Sequence, residues 1–148
     1  MSASAATAPI VVGIDGSPES AEALRWAINL ARLNGASIHA VIAWENTLGF
    51  GFVPAGAHSL EEEARRTLDH TIDKVLAEES GPLPPIERFV KRGHSTPVLV
   101  EASRDAQLLV VGDRGYGGFA GLLLGHCGEN CARLASCSVV IVRGGHRR

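Results

Sequence analysis

The alternation of apolar runs and amphipathic stretches predicts an α/β domain: an open five-stranded parallel sheet with helices on both faces. Two observations carry that prediction. Five short runs of aliphatic and β-branched residues read as continuously buried, as parallel strands covered on both faces do. Between them lie four stretches with apolar residues at helical spacing, so strand and helix alternate along the chain and right-handed crossovers follow. At 148 residues the chain has the length of one domain, 1–148, with 1–8 and 144–148 expected as flexible ends, and such a domain buries about two-thirds of its unfolded surface.

The first predicted strand lies in PIVVGID, Pro9 to Asp15. It ends at Gly16, with Ser17 as a helix cap and Pro18 suited to the first helical position. Leu24, Ile28 and Ala31 then form one helical stripe, with Ala21 and Ala27 beside it, until Asn34-Gly35 stops the helix. SIHAVIAW, Ser37 to Trp44, is the second strand. A loop rich in glycine and aromatic residues is expected from Asn46 to His58, before Ser59 and Glu62 set the spacing of a capping box. Ala64, Leu68, Ile72, Val75 and Leu76 continue that second helix to Ser80-Gly81-Pro82. IERFV is the third strand, and Thr96-Pro97 reads as cap and first residue of a short third helix. Gln107 to Gly112 is the fourth strand, a helix through Asn130, Cys131 and Leu134 follows, and Ser138 to Arg143 is the fifth strand.

Composition excludes several classes of function. A formal net charge of −2 leaves no basic surplus to neutralise a phosphate backbone, so a nucleic-acid partner is not expected. The N-terminal MSASAATAP lacks basic and apolar signal regions, and no stretch reaches the roughly 18 apolar residues of a membrane span, so a cytoplasmic location is expected. Cys127, Cys131 and Cys137 are odd in number and crowded together, unlike a secreted disulfide framework. Cys127 and Cys131 offer one C-x₃-C arm where zinc sites usually have two, and no metal site is expected. Near a helix N-terminus, Cys127 is a candidate oxidation sensor.

The segment from Gly112 to Asn130 holds seven glycines in nineteen residues. Following the fourth strand, it falls on the rim where open parallel sheets bind ligands. Gly112 and Gly115 are expected to turn backbone N–H groups inward as an anion nest, and Gly125 to admit the chain to the last helix. Phosphate suits the N-terminus of that helix. A Walker loop is excluded, since Gly125 is followed by His126 and Cys127 with no lysine. Gly115 to Ala120 matches a dinucleotide fingerprint only weakly, because it does not open the first helix. No nucleophile, base and orienting group can be gathered on one rim, and a non-enzyme is expected.

Gly112-x-x-Gly115, nine residues, then Gly125 is a G-2x-G-9x-G element. Together with VVGIDGSPES at the start, GLLLG before the last helix and SVVIVR at the end, it resembles the universal stress protein family over nearly the whole chain. The resemblance implies a flavodoxin-like or Rossmann-like sheet and a homodimer paired through the last strand, Ser138 to Arg143. It further implies ATP or AMP, with or without Mg, at the rim. Asp15, after Gly13, would meet the ribose or adenine, and Ile42 would offer backbone contacts to adenine. Val111, Gly112, Arg114, Gly115, Gly125, His126, Cys127 and Gly128 would surround the phosphates.

At two positions the sequence departs from that family. Its element continues with Ser or Thr and a second hydroxyl two residues later, where this chain has His126 and Gly128. A hydrogen bond to a charged group is worth about 1.5 to 3 kcal/mol, so nucleotide binding is expected to be weakened. A protonated His126 beside phosphate restores one donor, making binding stronger at lower pH. The rivals are a dimeric interaction scaffold of the same fold without nucleotide, and a flavin carrier or slow ATPase.

Overall fold

The computed structural model describes residues 7–45, 54–114 and 126–144. They form a five-stranded, all-parallel sheet with four helices in strict alternation. The strands are β1 (Ile10–Gly13), β2 (Ile38–Trp44), β3 (Ile86–Arg92), β4 (Leu108–Gly112) and β5 (Ser138–Val142). The helices are α1 (Pro18–Asn34), α2 (Pro54–Glu78), α3 (Ser95–Ala102) and α4 (His126–Leu134). Spatial order is β3-β2-β1-β4-β5, which is the Rossmann-like order, against 2-1-3-4-5 in flavodoxin. The chain therefore reverses direction across the sheet between β1 and β4, and β5 is an edge strand.

Alternation along the strands builds two cores. Ile10, Val12 and Ile14 pack with Leu24, Ile28, Leu68 and Ile72 of α1 and α2. Val11, Val41, Leu109 and Val111 face the other side, where Leu99 of α3 and Cys131 of α4 cover them. Each face of the sheet thus has two helices. No helix among the described residues is long and apolar enough to cross a membrane.

Local chemistry sets the helix ends. Ser17 caps α1 by accepting a hydrogen bond from the Ser20 N–H at 3.0 Å, and Pro18 occupies the first position, where an N–H has no helical partner anyway. Gly35 closes α1 in the left-handed conformation, φ 79°, its N–H donating to Ala31 O.

Three expectations need correction. α2 starts at Pro54, so the Ser59 and Glu62 spacing falls inside the helix; Pro54 loses no backbone bond at a first position. The rest of the expected loop, 46–53, lies outside the described residues. α3 begins at Ser95 after His94, leaving Pro97 in the first turn, where its missing N–H again costs nothing. β3 runs on to Arg92 because β2 continues beside it, Trp44 pairing with Arg92. Of the expected flexible ends, 1–6 and 145–148 lie outside the described residues; Ala8 O accepts from Gln107 Nε2 at 2.6 Å, and buried Gly144 donates from its N–H to Asp113 Oδ1 at 3.1 Å.

Candidate functional site

β1 is short, and its length makes the site. Its pairing with β2 ends at Gly13 opposite Val41, and with β4 at Val12 opposite Val110. β2 and β4 run further on each side, so a notch opens above the carboxyl end of β1, at the switch point of the sheet. A cleft of about 550 Å³ occupies it. β1, its exit and β2 contribute Gly13, Asp15 and Ile42; β4 and its exit contribute Val111, Gly112 and Arg114; the first turn of α4 contributes Cys127 and Gly128. Sequence reasoning therefore picked out residues that converge in space. His126 opens α4, while its side chain, Gly115 and Gly125 lie outside what the structure describes.

The turn from β1 to α1 is a closed hydrogen-bond circuit. Asp15 Oδ1 accepts from the Ser17 N–H at 3.0 Å and from the Ser17 hydroxyl at 2.5 Å. Ser20 Oγ donates to Ser17 O at 3.0 Å and accepts from the Asp15 N–H at 3.3 Å. Asp15 therefore builds the turn as well as lining the cleft. Gly16, between them, has φ 85°, and a Cβ there would also lie 2.8 Å from Thr67 of α2.

Main-chain direction on β2 alters the role given to Ile42. Val41 O accepts from the Ile14 N–H, facing β1, and Trp44 O accepts from the Gly93 N–H, on the opposite side. Because main-chain polar groups alternate sides along a strand, those of Ile42 turn to β3 with those of Trp44, while those of Ala43 turn to the side that β1 has left. Ala43 lines the cleft there, so its main-chain donor and acceptor, rather than those of Ile42, turn to the notch. Ile42 itself contributes a buried side chain.

Gly112 also has a packing role. It is paired in β4 with Val142, and a Cβ on it would lie 2.7 Å from Glu19 Cβ and 2.8 Å from the Glu19 carbonyl. Its missing side chain admits α1, and Gly115, its expected partner in a nest, lies outside the described residues. Gly13 plays the same part on the other face, where a Cβ would sit 2.8 Å from Leu99 Cδ1. Gly128 is different: a Cβ there would meet Ile141 and Val111 at 3.4 to 3.5 Å, ordinary contact distances.

Residues of α2 went unrecognised. Leu60, Glu63, Ala64 and Thr67 line one wall of the cleft, and their spacing of three, four and seven is itself a helix face. That stripe, read N-terminally from Ala64, was the available signal. Trp44 adds an aromatic surface at the end of β2, with the Arg92 guanidinium 5.5 Å from its ring centre. Arg114, exposed, is the one basic side chain among the described lining residues, which also include the carboxylates of Asp15 and Glu63.

Two thiols meet at the α4 wall. Cys127 Sγ lies 3.8 Å from Cys131 Sγ and accepts from the Thr96 hydroxyl at 3.6 Å. The Cys131 S–H is the strongest influence on the Cys127 thiol, lowering it to about 7; burial opposes this, Thr96 assists it and the charge of Asp15 opposes it. The same contact and burial push the Cys131 thiol up. Among the described residues no three His, Cys, Asp or Glu side chains gather to hold a metal.

Comparison with known proteins follows the geometry. A family model described as "Universal stress protein family" matches residues 7–143. The universal stress protein Rv2623 of Mycobacterium tuberculosis strain H37Rv is 34% identical over 136 residues, covering 92% of this chain and 45% of the relative. The chain spans about half the length of the curated relatives it matches. A solved universal stress protein in complex with cAMP is 29% identical, with a TM-score of 0.66 over 95% of this chain and 100% of that one. The universal stress protein UspA from Lactobacillus plantarum shares the fold, with 19% identity and a TM-score of 0.73 over 95% and 100% of the two chains.

Proposed function

The chain belongs to the universal stress protein family, and from that premise we propose that its cleft binds an adenine nucleotide, ATP or AMP, as a regulatory signal in a stress response. The observation that carries this reading is the notch above β1. Ala43 main chain and the Trp44 ring flank one side, suited to a flat base with hydrogen-bonding edges, and the first turn of α4 lies on the other, suited to phosphate. The cAMP complex of a relative at 29% identity supports the same ligand class. Arg114 supplies the positive side chain at the phosphate end, and Mg arrives with the phosphates of ATP, since magnesium is commonly held by few carboxylates plus substrate oxygens.

Binding is weaker than in a chain with both hydroxyls, because His126 and Gly128 replace them. Protonation of His126 beside a phosphate strengthens it at lower pH. The protein signals through conformation and partners in the cytoplasm, without catalysis beyond incidental ATP hydrolysis. β5 lies at the sheet edge with Ile141 exposed; an open edge recruits another strand, and a homodimer through Ser138 to Arg143 is the assembly proposed.

Calorimetric titration with AMP and with Mg-ATP, at about pH 6.5 and about pH 8, tests this reading. The expected result is binding in the micromolar range, tighter at the lower pH, with the pH effect lost in His126→Ser. No heat from the natural chain, with heat restored in His126→Ser, would favour the second reading: a scaffold of the same fold whose phosphate site has been disabled.

A further inference from the structure

Cys127 and Cys131 stand one turn apart on one face of α4 and differ in their surroundings. Cys127 is half-buried and lines the cleft, so small solutes reach it. Cys131 is fully buried behind it, against Val11, Leu109 and Val111. The sulfurs are 3.8 Å apart, close enough for one thiol to attack the other after a small movement. Cys127 also has a hydroxyl donor in Thr96 at 3.6 Å and lies in the first turn of α4, where backbone N–H groups favour an anion. Those three features give the two thiols different tasks.

We propose that Cys127 and Cys131 are a hydroperoxide-sensitive dithiol, with Cys127 attacking and Cys131 resolving, whose disulfide remodels the α4 wall of the cleft. The Cys127 thiolate attacks one peroxide oxygen. The O–O bond breaks, an S–O bond forms, and the departing oxygen takes a proton and leaves as water or an alcohol. Sulfur is oxidised to sulfenic acid while the peroxide is reduced. The Cys131 sulfur then attacks the sulfenic sulfur; the S–S bond forms, the S–O bond breaks, and the hydroxide leaves as water with the Cys131 proton. The lowered Cys127 thiol and the raised Cys131 thiol agree with that order.

Helix geometry gives the step its consequence. Side chains four apart on a helix have Cβ atoms about 5 to 6 Å apart, whereas a disulfide holds them at about 3.8 Å. Closure therefore unwinds the first turn of α4, and Gly128, the residue after Cys127, makes that turn easy to unwind. The same turn forms the cleft wall. The inference stands apart from nucleotide binding, since its chemistry needs only peroxide.

Its test uses the full chain. Reduced protein is treated with one equivalent of hydrogen peroxide at neutral pH, remaining thiols are alkylated, and the protein is digested with trypsin. Cleavage after Arg114, Arg133 and Arg143 places Cys127 and Cys131 together in fragment 115–133 and Cys137 in a separate one. The expected product is fragment 115–133 unalkylated and lighter by two hydrogens, with Cys137 still alkylated. In Cys131→Ala the reaction stops at a Cys127 sulfenic acid that dimedone captures. A fully alkylated 115–133 fragment would overturn the proposal. So would a cross-link to the Cys137 fragment, or thiol loss in Cys127→Ser as fast as in the natural chain.

Discussion

Gly112 of β4 and Glu19 of α1 pack without a side chain between them: a Cβ on Gly112 would come within 2.7 Å of Glu19 Cβ. A Cβ on Gly144 would come within 2.5 Å of Glu19 Cγ. Glu19 is thus held between the ends of β4 and β5, which seats the start of α1 over the switch point. Gly112→Ala is expected to push α1 off the sheet and to cost about 1 to 3 kcal/mol, the usual range for overpacking. Urea unfolding monitored by circular dichroism checks it through the shift in midpoint.

The opposite outcome is expected at Gly128. A Cβ there meets Ile141 and Val111 only at ordinary distances, and serine is a better helix former than glycine by a few tenths of a kcal/mol. Gly128→Ser is expected to fold at least as stably as the natural chain. It should also bind AMP more tightly, by about 10-fold or more, if its hydroxyl makes a charge-assisted bond to phosphate. Calorimetry on the variant reads both effects apart from those at His126.

The circuit around Asp15 separates turn building from ligand binding. Ser17→Ala removes the α1 cap and one partner of Asp15 Oδ1, and is expected to cost about 1 to 2 kcal/mol. Asp15→Asn keeps an acceptor for the Ser17 N–H and is expected to lose much less stability while still altering AMP affinity. Thermal unfolding with and without AMP distinguishes the two.

Cys127 reactivity should depend on pH in a stated direction. The Cys131 S–H and the Thr96 hydroxyl favour its thiolate, against burial and the Asp15 charge, and the thiol is lowered to about 7. Alkylation by iodoacetamide should therefore rise through a midpoint near pH 7, below the ordinary cysteine range of about 8.5. Thr96→Val should move the midpoint up, and Cys131→Ala should move it further, because the contact to Cys131 is the larger cause. Mass-resolved labelling rates across a pH series measure this.

Much of this architecture follows from local patterns that a single sequence displays. Ser17-Pro18 and Asn34-Gly35 mark the ends of α1 because capping is short-range chemistry. The buried strands announce themselves as apolar runs. The start of α2 at Pro54 was hidden because the capping-box spacing at Ser59 and Glu62 is a common pattern that also occurs inside helices. At the site, Asp15 and the α4 turn could be picked from motif and position. The reason for Gly112 could not, since the side chain that presses on it, Glu19, is distant in sequence and carries no marker. Nor could Ala43 be told from Ile42, because which side a main-chain N–H faces depends on the register and end of the neighbouring strand.

Amide chemical-shift mapping of the isotopically labelled protein, titrated with AMP, places the ligand residue by residue. Saturable shifts concentrated at Gly13, Ala43, Gly112, Cys127 and Gly128 are the predicted result, with Ala43 moving more than Ile42. Binding that leaves these amides unmoved, or shifts confined to the β5 edge, would contradict a nucleotide site above β1.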